Sequence, residues 1–409
     1  MNQSTSTETA ADCNAGDCSN GRTALDARRQ GRFELVPAEA PPRPGTDAFV
    51  HRMRAVGDVL HRASVAAIYL IHGTFAGDDP FGVTDGLSAV FPRAGGRLRR
   101  LTKRAVDRVI DDTANYTAEY AALMQSSLTV PGLPGIPVRQ FVWSGQNNHL
   151  GRAAAAVRLI DQIDADRLAA GQRVLVWTHS HAGNVLALVS QLLAADCPLR
   201  EPFFAAAEIY FQRSDAQADP QALWQRVRQR LASRQAGHAE NRSRPPGQAG
   251  EYALDVVTFG TPIRYPWNAG GVGHLLHVVN HHPQAGCRVE RSALPRSVDD
   301  IFRGAGGDYV QHAGVNGTNF PPPPWCWRAL LADYRLHQVI TPEVRWYQLR
   351  RNLRAGRRVA GAGTTLLVDY GAEPSRWIRH LFGHSIYTRS DWMLFHAELA
   401  AKYLYGMQT

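Results

Sequence analysis

A serine stands between two histidines in the stretch VLVWTHSHAGNVLALV, residues 174–189. A β-branched apolar run precedes it, and apolar positions at helical spacing follow it. Ser180 is therefore predicted at a strand-to-helix turn, where its oxygen could act as a nucleophile at the N-terminus of the helix. A serine at this place could instead cap a helix that begins near Gly183. This stretch alone leaves both interpretations open.

The nucleophile interpretation requires small residues two positions before and after the serine, because strand and helix approach each other closely there. Ala182 meets this requirement, whereas Thr178 meets it only in part. The side chains of His179 and His181 are predicted to point away from the serine and to be bystanders.

A His-Gly pair, His72 and Gly73, follows an earlier apolar run in IYLIHGTFAG, residues 68–77. A turn there could direct a backbone N–H of Thr74 or Phe75 towards the serine as half of an oxyanion hole. The N–H of His181, directly after the serine, would supply the other half. The same pair could also form a simple tight turn.

The apolar runs along the chain are of two types. Six are short and rich in β-branched residues, which is typical of buried strands in a parallel sheet. Segments whose apolar residues recur at helical spacing separate several of them. A three-layer α/β fold with a mostly parallel central sheet is therefore predicted. The predicted strands are 66–73, 138–145, 173–180, 254–262, 274–280 and 364–371, and the predicted helices are 113–127, 152–170, 183–195 and 390–405.

Two segments have the composition of irregular structure. Residues 1–45 lack periodic apolar positions and are predicted to be a disordered tail or linker before one domain over 46–409. Residues 233–250 are predicted to form a flexible surface insertion. The long insertions expected to cover the strand ends are 80–112, 201–250 and 284–360.

These motifs, in this order, resemble the α/β-hydrolase superfamily and, within it, the lipase-like serine esterases. The matching stretches are IHGTF at 71–75, FVWSGQN at 141–147, THSHAG at 178–183 and TFGTP at 258–262. The resemblance implies a hydrolase sandwich with lid or cap insertions and a catalytic triad in the order serine, acid, histidine. Thr178 and Ala182 depart from the glycines common in that family.

The resemblance places the triad histidine between the last strand and the C-terminal helix, where His380 and His384 occur. His384 lies in a Gly-His-Ser loop that could bring an imidazole over Ser180, and it is the predicted general base. His380 lies in an Arg-rich segment and is predicted to be solvated. His396 falls inside the final helix, where a packing role is expected.

The resemblance places the triad acid after the strand at 274–280. Asp308 follows two glycines as Asp-Tyr-Val and is the predicted acid, whereas Asp299 and Asp300 have the pattern of helix N-terminal residues. The rival is Asp369, the last residue of a predicted strand. Asp308 is preferred because the acid must reach across to the histidine.

The sequence predicts no cofactor and no metal site. His281, His282 and Cys287 lack a further ligand at metal-binding spacing and are predicted to lie in a surface loop. No glycine-rich phosphate loop follows a strand, so nucleotide chemistry has no support. Of the five cysteines, only Cys13 and Cys18 lie near each other, which indicates no disulfide framework.

The formal net charge of +9 favours acidic partners, although arginine-rich composition alone can produce it. Residues 96–110 combine an apolar helical face with a cluster of basic residues. Such a helix could lie on an anionic membrane, or it could pack on the sheet and expose its arginines. No nucleic-acid partner and no oligomeric state are predicted.

The N-terminus has neither the basic start nor the apolar core of a secretory signal, and no apolar run is long enough for a transmembrane helix. A chain made in the cytoplasm, with export by a specialised secretion system as an option, is therefore expected.

The sequence thus predicts a serine hydrolase that cleaves carboxylic esters, of lipid type by resemblance, through an acyl-enzyme on Ser180. An acyltransferase or thioesterase with the same triad is one alternative. A catalytically inactive hydrolase fold that binds a partner is the other.

Overall fold

The computed structural model of the protein describes residues 31–74, 115–211, 220–240, 252–314, 319–341, 355–371 and 383–408. These residues contain a seven-stranded sheet in which every neighbouring pair of strands is parallel. The strands are β1 (Arg32–Pro37), β2 (Val65–Ile71), β3 (Val138–Phe141), β4 (Arg173–His179), β5 (Ala253–Phe259), β6 (His274–Asn280) and β7 (Thr364–Asp369). Their order across the sheet is β1-β7-β6-β5-β4-β2-β3.

Helices connect these strands and cover the sheet. They are α1 (Asp47–Arg62), α2 (Ala118–Ser127), α3 (His149–Ala165), α4 (Ala182–Leu193), α5 (Arg200–Phe211), α6 (Pro220–Glu240), α7 (Val298–Arg303), α8 (Tyr309–Gly314), α9 (Trp327–Ile340) and α10 (Met393–Tyr405).

Each face of the sheet has its own apolar core, because successive side chains of a strand point to opposite faces. In β4, Val174 and Val176 pack with α3, α4, α5, α6 and α9, whereas Leu175 and Trp177 pack with α1, α2 and α10. The protein is therefore an α/β structure of three layers, with helices on both faces of a parallel sheet.

The structure confirms the predicted α/β class and places a strand in each segment where the sequence indicates one. The strand predicted at 274–280 is β6 itself, His274–Asn280, and the other boundaries agree to within a few residues. Continuous apolar runs mark these strands because both of their faces are buried.

One correction concerns the segment 1–45, predicted to be disordered. Residues Arg32–Pro37 form β1, which pairs along its whole length with β7 at the edge of the sheet. Phe33 and Leu35 are 43% and 45% exposed, so backbone hydrogen bonds rather than side-chain burial hold this strand. An edge strand of this kind leaves no apolar pattern in the sequence. Residues 1–30 lie outside the described part of the chain.

A second correction concerns the insertion predicted at 233–250. Its first residues, 233–240, continue helix α6, and Arg230 and Arg234 of that helix both pair with Asp164. Charged contacts rather than an apolar stripe stabilise this end of the helix, which explains why the pattern suggested a loop. Residues 241–250 and the whole insertion 80–112, including the basic segment 96–110, lie outside the described residues.

The carboxyl ends of β2, β4, β5 and β6 meet in the middle of one edge of the sheet. In open parallel sheets this edge is where ligands bind. Within the described residues, no helix has the length and apolar character needed to cross a membrane.

Candidate active site

Ser180 occupies the turn between β4 and α4. Its φ of 57° is in the left-handed region, which costs a non-glycine residue about 1–3 kcal/mol. Two hydrogen bonds hold the turn: Ser180 N donates to the Phe259 carbonyl at 2.8 Å, and Thr261 Oγ1 donates to the Ser180 carbonyl at 2.8 Å. His181, not Ser180, is the N-cap residue of α4, and no side chain caps it. The helix-capping interpretation of Ser180 is therefore wrong.

Small residues surround the turn at two positions. A Cβ on Gly73 would stand 2.8 Å from Ser180 Cβ, and a Cβ on Gly183 would stand 2.1 Å from Thr261 Oγ1. Both approaches are too close for any side chain, so these glycines let the neighbouring segments pack against Ser180. Thr178, which has a side chain where the resemblance implies a glycine, is buried in β4 between β2 and β5.

His72 orients the segment that follows β2. Its Nδ1 donates to the Gly73 carbonyl at 2.8 Å, while its Nε2 accepts from Trp143 N at 3.2 Å. In a trans peptide the N–H points opposite to the carbonyl, so the N–H of Thr74 is directed away from His72. Because Gly73 packs against Ser180, the Thr74 N–H is one residue from that contact, in the segment where half of an oxyanion hole is predicted. Phe75, the other candidate there, lies outside the described residues.

His384 and Asp308 are brought together from distant parts of the chain. His384 Nδ1 donates to Asp308 Oδ2 at 2.7 Å, and both side chains are buried. Asp308 Oδ2 also accepts from the Tyr387 hydroxyl at 2.9 Å, and Oδ1 accepts from Gln311 N at 2.7 Å. Hydrogen bonds on both oxygens hold the carboxylate in a fixed orientation, which in turn fixes the tautomer of His384.

The loop that carries Asp308 is anchored to β6 and to a buried arginine. Asp308 N donates to the Asn280 carbonyl, the last residue of β6, at 2.9 Å. Arg358 donates to the Asp308 carbonyl, to Gln311 Oε1 at 2.6 Å and to the Gly306 carbonyl at 3.0 Å. Burial lowers the pKa of Arg358, so its hydrogen bonds must offset the loss of solvent.

Asp369, the rival acid, is not in contact with His384. Its Oδ1 accepts from His282 Nδ1 at 2.8 Å and from Gly371 N at 2.9 Å, and its side chain is 49% exposed. Asp300 forms a capping box with Ser297 at the start of α7. Among the described residues, Asp308 is thus the carboxylate that reaches the imidazole.

Of the remaining histidine candidates, His396 is buried in α10, where its Nε2 accepts from the Tyr370 hydroxyl at 2.7 Å. His380 lies outside the described residues.

His179 is not the bystander that the sequence predicted. Its ring contacts that of His384, with centroids 4.5 Å apart and planes tilted by 39°, and its Nε2 lies 3.0 Å from the His384 carbonyl. It therefore supports the loop that carries His384. Nothing in the spacing of the sequence indicated this contact, because 205 positions separate the two residues.

His181 is buried, and its Nδ1 has no hydrogen-bond partner among the described residues. Burial, followed by the charges of Arg152 and Arg264, lowers its pKa well below the usual range. Its imidazole is therefore neutral.

Gly260 lies at the point where these side chains meet. Its φ is 58°, and a Cβ there would stand 2.6 Å from Asp308 Oδ2 and 3.1 Å from His384 Cε1. The preceding residue, Phe259, accepts the backbone hydrogen bond of Ser180. His384 Nε2 is buried without a hydrogen-bond partner in the described part of the chain, so this nitrogen is free to take a proton.

Comparison with protein-family models, with curated proteins and with solved structures gave no match.

Proposed function

We propose that this protein is a serine hydrolase that cleaves carboxylic esters through an acyl-enzyme on Ser180. The observation that carries the proposal is the buried pair of His384 and Asp308, which packs against Gly260, next to the residue that bonds the strained turn of Ser180. An imidazole that is bonded to a carboxylate on one nitrogen and unpaired on the other has the arrangement of a general base.

In the proposed reaction, Ser180 Oγ attacks the ester carbonyl carbon while His384 Nε2 takes the hydroxyl proton. Asp308 stabilises the imidazolium, and the N–H groups of His181 and Thr74 bind the oxyanion. His384 then gives the proton to the departing alcohol, which leaves Ser180 acylated. A water molecule, deprotonated by the same nitrogen, attacks the acyl carbon. His384 then returns that proton to Ser180 Oγ as the acyl–oxygen bond breaks, which releases the acid and the free serine.

The sheet supports the resemblance to α/β-hydrolases. From one edge its strands run β3-β2-β4-β5-β6-β7, with Ser180 after β4, Asp308 after β6 and His384 after β7. The serine, acid, histidine order along the chain is the order of that family. The lipid character of the ester is part of the proposal on the strength of this resemblance.

Hydrolysis of 4-nitrophenyl butyrate tests the proposal. Ser180→Ala is expected to lower kcat/KM at least about a thousandfold, because the covalent step is lost. Ser126→Ala is the matched control: Ser126 is exposed on α2 and bonds only the Leu123 carbonyl, so its loss should leave the rate unchanged. Equal rates for wild type and Ser180→Ala, with both proteins folded by circular dichroism, would contradict the assignment.

A further inference from the structure

A cluster of buried cationic and polar groups lies beside the candidate active site. We call it the arginine cluster, and it consists of His149, Arg152, Arg264 and Tyr265. His149 and Arg152 belong to the first turn of α3, which follows β3, and the other two residues follow β5. The cluster is therefore at the same edge of the sheet as Ser180.

Arg152 is fully buried, and neutral oxygens surround it. Its Nε donates to the Tyr265 hydroxyl at 2.8 Å, and its two terminal nitrogens donate to Asn147 Oδ1 at 2.7 Å and Asn319 Oδ1 at 2.8 Å. These bonds give each nitrogen of Arg152 a neutral acceptor. The carboxylate of Asp333 acts on Arg152 from a distance, through Asn319, and forms no ion pair with it in the described part of the chain. A buried cation in this state favours a nearby anion.

Arg264 carries the second charge of the cluster. Its carbon Cζ lies 5.9 Å from the centre of the Tyr265 ring, and that of Arg152 lies 5.4 Å from the same centre. Arg264 Nη1 is buried and has no hydrogen-bond partner in the described part of the chain. An unpaired buried donor is rare in folded proteins, and an unpaired donor on a cation is more costly still.

One tautomer of His149 places a second donor next to Arg264. Arg152 Nε can only donate to the Tyr265 oxygen, so the Tyr265 hydroxyl hydrogen is free to go to His149 Nδ1 at 2.8 Å. His149 then carries its own hydrogen on Nε2, which lies 3.5 Å from Arg264 Nη2. In this tautomer two donors face each other, and an oxygen anion beside them would accept from both. In the other tautomer Arg264 Nη2 donates to His149 Nε2.

The described residues do not neutralise these charges with an ion pair. Asp333, the nearby carboxylate, accepts from Leu150 N at 2.9 Å and from Asn319 Nδ2 at 3.1 Å instead. Burial, together with repulsion by Arg152, lowers the pKa of Arg264 only to about 10, so its guanidinium group stays charged at neutral pH.

His181 connects the arginine cluster to the nucleophile. The charges of Arg152 and Arg264 act on its imidazole. In addition, Arg264 is only three residues from Thr261, whose hydroxyl bonds the Ser180 carbonyl. The two guanidinium groups are therefore within electrostatic reach of the residue adjacent to Ser180.

We propose that the arginine cluster is an oxyanion-binding subsite, in which Arg264 and His149 donate hydrogen bonds to a phosphate-like group carried by the ester substrate. Arg152, which donates to the Tyr265 hydroxyl, adds a second positive charge to the subsite. This inference rests on the proposed function, because it assigns the anion to the substrate of Ser180. The inferred substrate is an ester whose alcohol part carries an anionic phosphate.

Binding of inorganic phosphate tests the subsite without any reaction. In isothermal titration calorimetry, the Ser180→Ala protein should bind phosphate, and adding Arg264→Gln should weaken that binding at least about tenfold. Arg264→Lys keeps the charge and should retain more affinity than the Gln variant. Arg335→Gln is the control, since Arg335 is exposed on α9. No saturable binding by the Ser180→Ala protein, or equal binding with Arg264→Gln, would contradict the subsite.

A matched pair of esters tests whether the anion belongs to the substrate. Dihexanoylglycerol and dihexanoylglycerol 3-phosphate have the same acyl chains and differ by the phosphate. Arg264→Gln should lower kcat/KM at least about tenfold more for the phosphorylated ester than for the neutral one. Equal losses on both esters would contradict the assignment to the substrate. Phosphate binding without hydrolysis of either ester would instead contradict the proposed function and leave the anion site standing.

Discussion

At the scale of single residues, the site depends on which carboxylate reaches His384. Asp308 and Asp369 both lie near the end of a strand, but their partners differ. Asp308 is buried and bonds His384, whereas Asp369 is half exposed and bonds His282. An isosteric variant at each aspartate therefore tests which of the two carboxylates is needed for activity.

Asp308→Asn is expected to lower kcat on 4-nitrophenyl butyrate about 10³ to 10⁴-fold. The amide NH2 would face His384 Nδ1–H, so the imidazole would turn or change tautomer and Nε2 could no longer act as the base. Asp369→Asn, the control, should stay within about twofold of wild type. The assignment would be wrong if Asp369→Asn alone lost activity while Asp308→Asn remained active and folded.

Sequence reasoning found Ser180, His384 and Asp308 as candidates because each follows a strand or lies in a glycine loop. It missed His179 and Tyr387, which contact His384 and Asp308. Those contacts join residues far apart in sequence, and no local pattern encodes them. Arg358 was missed for the same reason, although its burial makes it a main support of the acid loop.

At the scale of elements, the junction of β4 and α4 depends on a close contact with the segment after β5. Gly183 lies in the first turn of α4, directly against Thr261. Thr261 in turn donates to the Ser180 carbonyl, so a change at this contact is transmitted to Ser180.

Gly183→Ala is expected to reduce the free energy of unfolding by about 1–3 kcal/mol, because the added Cβ would overlap Thr261. The displaced Thr261 would lose its bond to Ser180, so ester hydrolysis should fall as well. Urea unfolding and the butyrate assay measure the two effects. Gly135→Ala is the control, since a Cβ there meets nothing within 4 Å. Equal stability of both variants would show that this contact does not constrain the turn.

Elements buried on both sides were predictable from sequence, as β4 and β6 illustrate. Elements that are held by backbone hydrogen bonds or by ion pairs were not predictable. The edge strand β1 depends on backbone hydrogen bonds to β7, and the end of α6 depends on ion pairs with Asp164. Neither interaction requires the periodic spacing of apolar residues by which strands and helices are recognised in a sequence.

At the scale of the whole molecule, buried neutral histidines couple stability to pH. Burial lowers the pKa of His277 to about 4. Its Nδ1 accepts from Thr258 Oγ1 at 2.7 Å and its Nε2 donates to the Ala362 carbonyl at 3.1 Å, so the neutral ring is fully paired. Burial also lowers the pKa of His281 to about 4 and that of His396 to about 3.

Because these pKa values are depressed in the folded state, the unfolded chain takes up protons first, near pH 6.5. The free energy of unfolding should thus be highest above pH 6.5 and fall as the pH drops towards 4. His277→Gln should make this slope shallower by up to about 1.4 kcal/mol per pH unit. Urea unfolding at several pH values measures it, with exposed His51→Gln as control. An unchanged slope in His277→Gln would contradict the burial argument.

Labelling by a fluorophosphonate probe, followed by peptide mass spectrometry, tests the central claim most directly. The probe forms a bond only with a serine that a neighbouring base activates. We predict one adduct on Ser180 in the folded wild-type protein, its loss in Ser180→Ala, and its loss on denaturation. Folded wild-type protein that stays unlabelled, or an adduct that persists in Ser180→Ala, would contradict the assignment of Ser180 as the nucleophile.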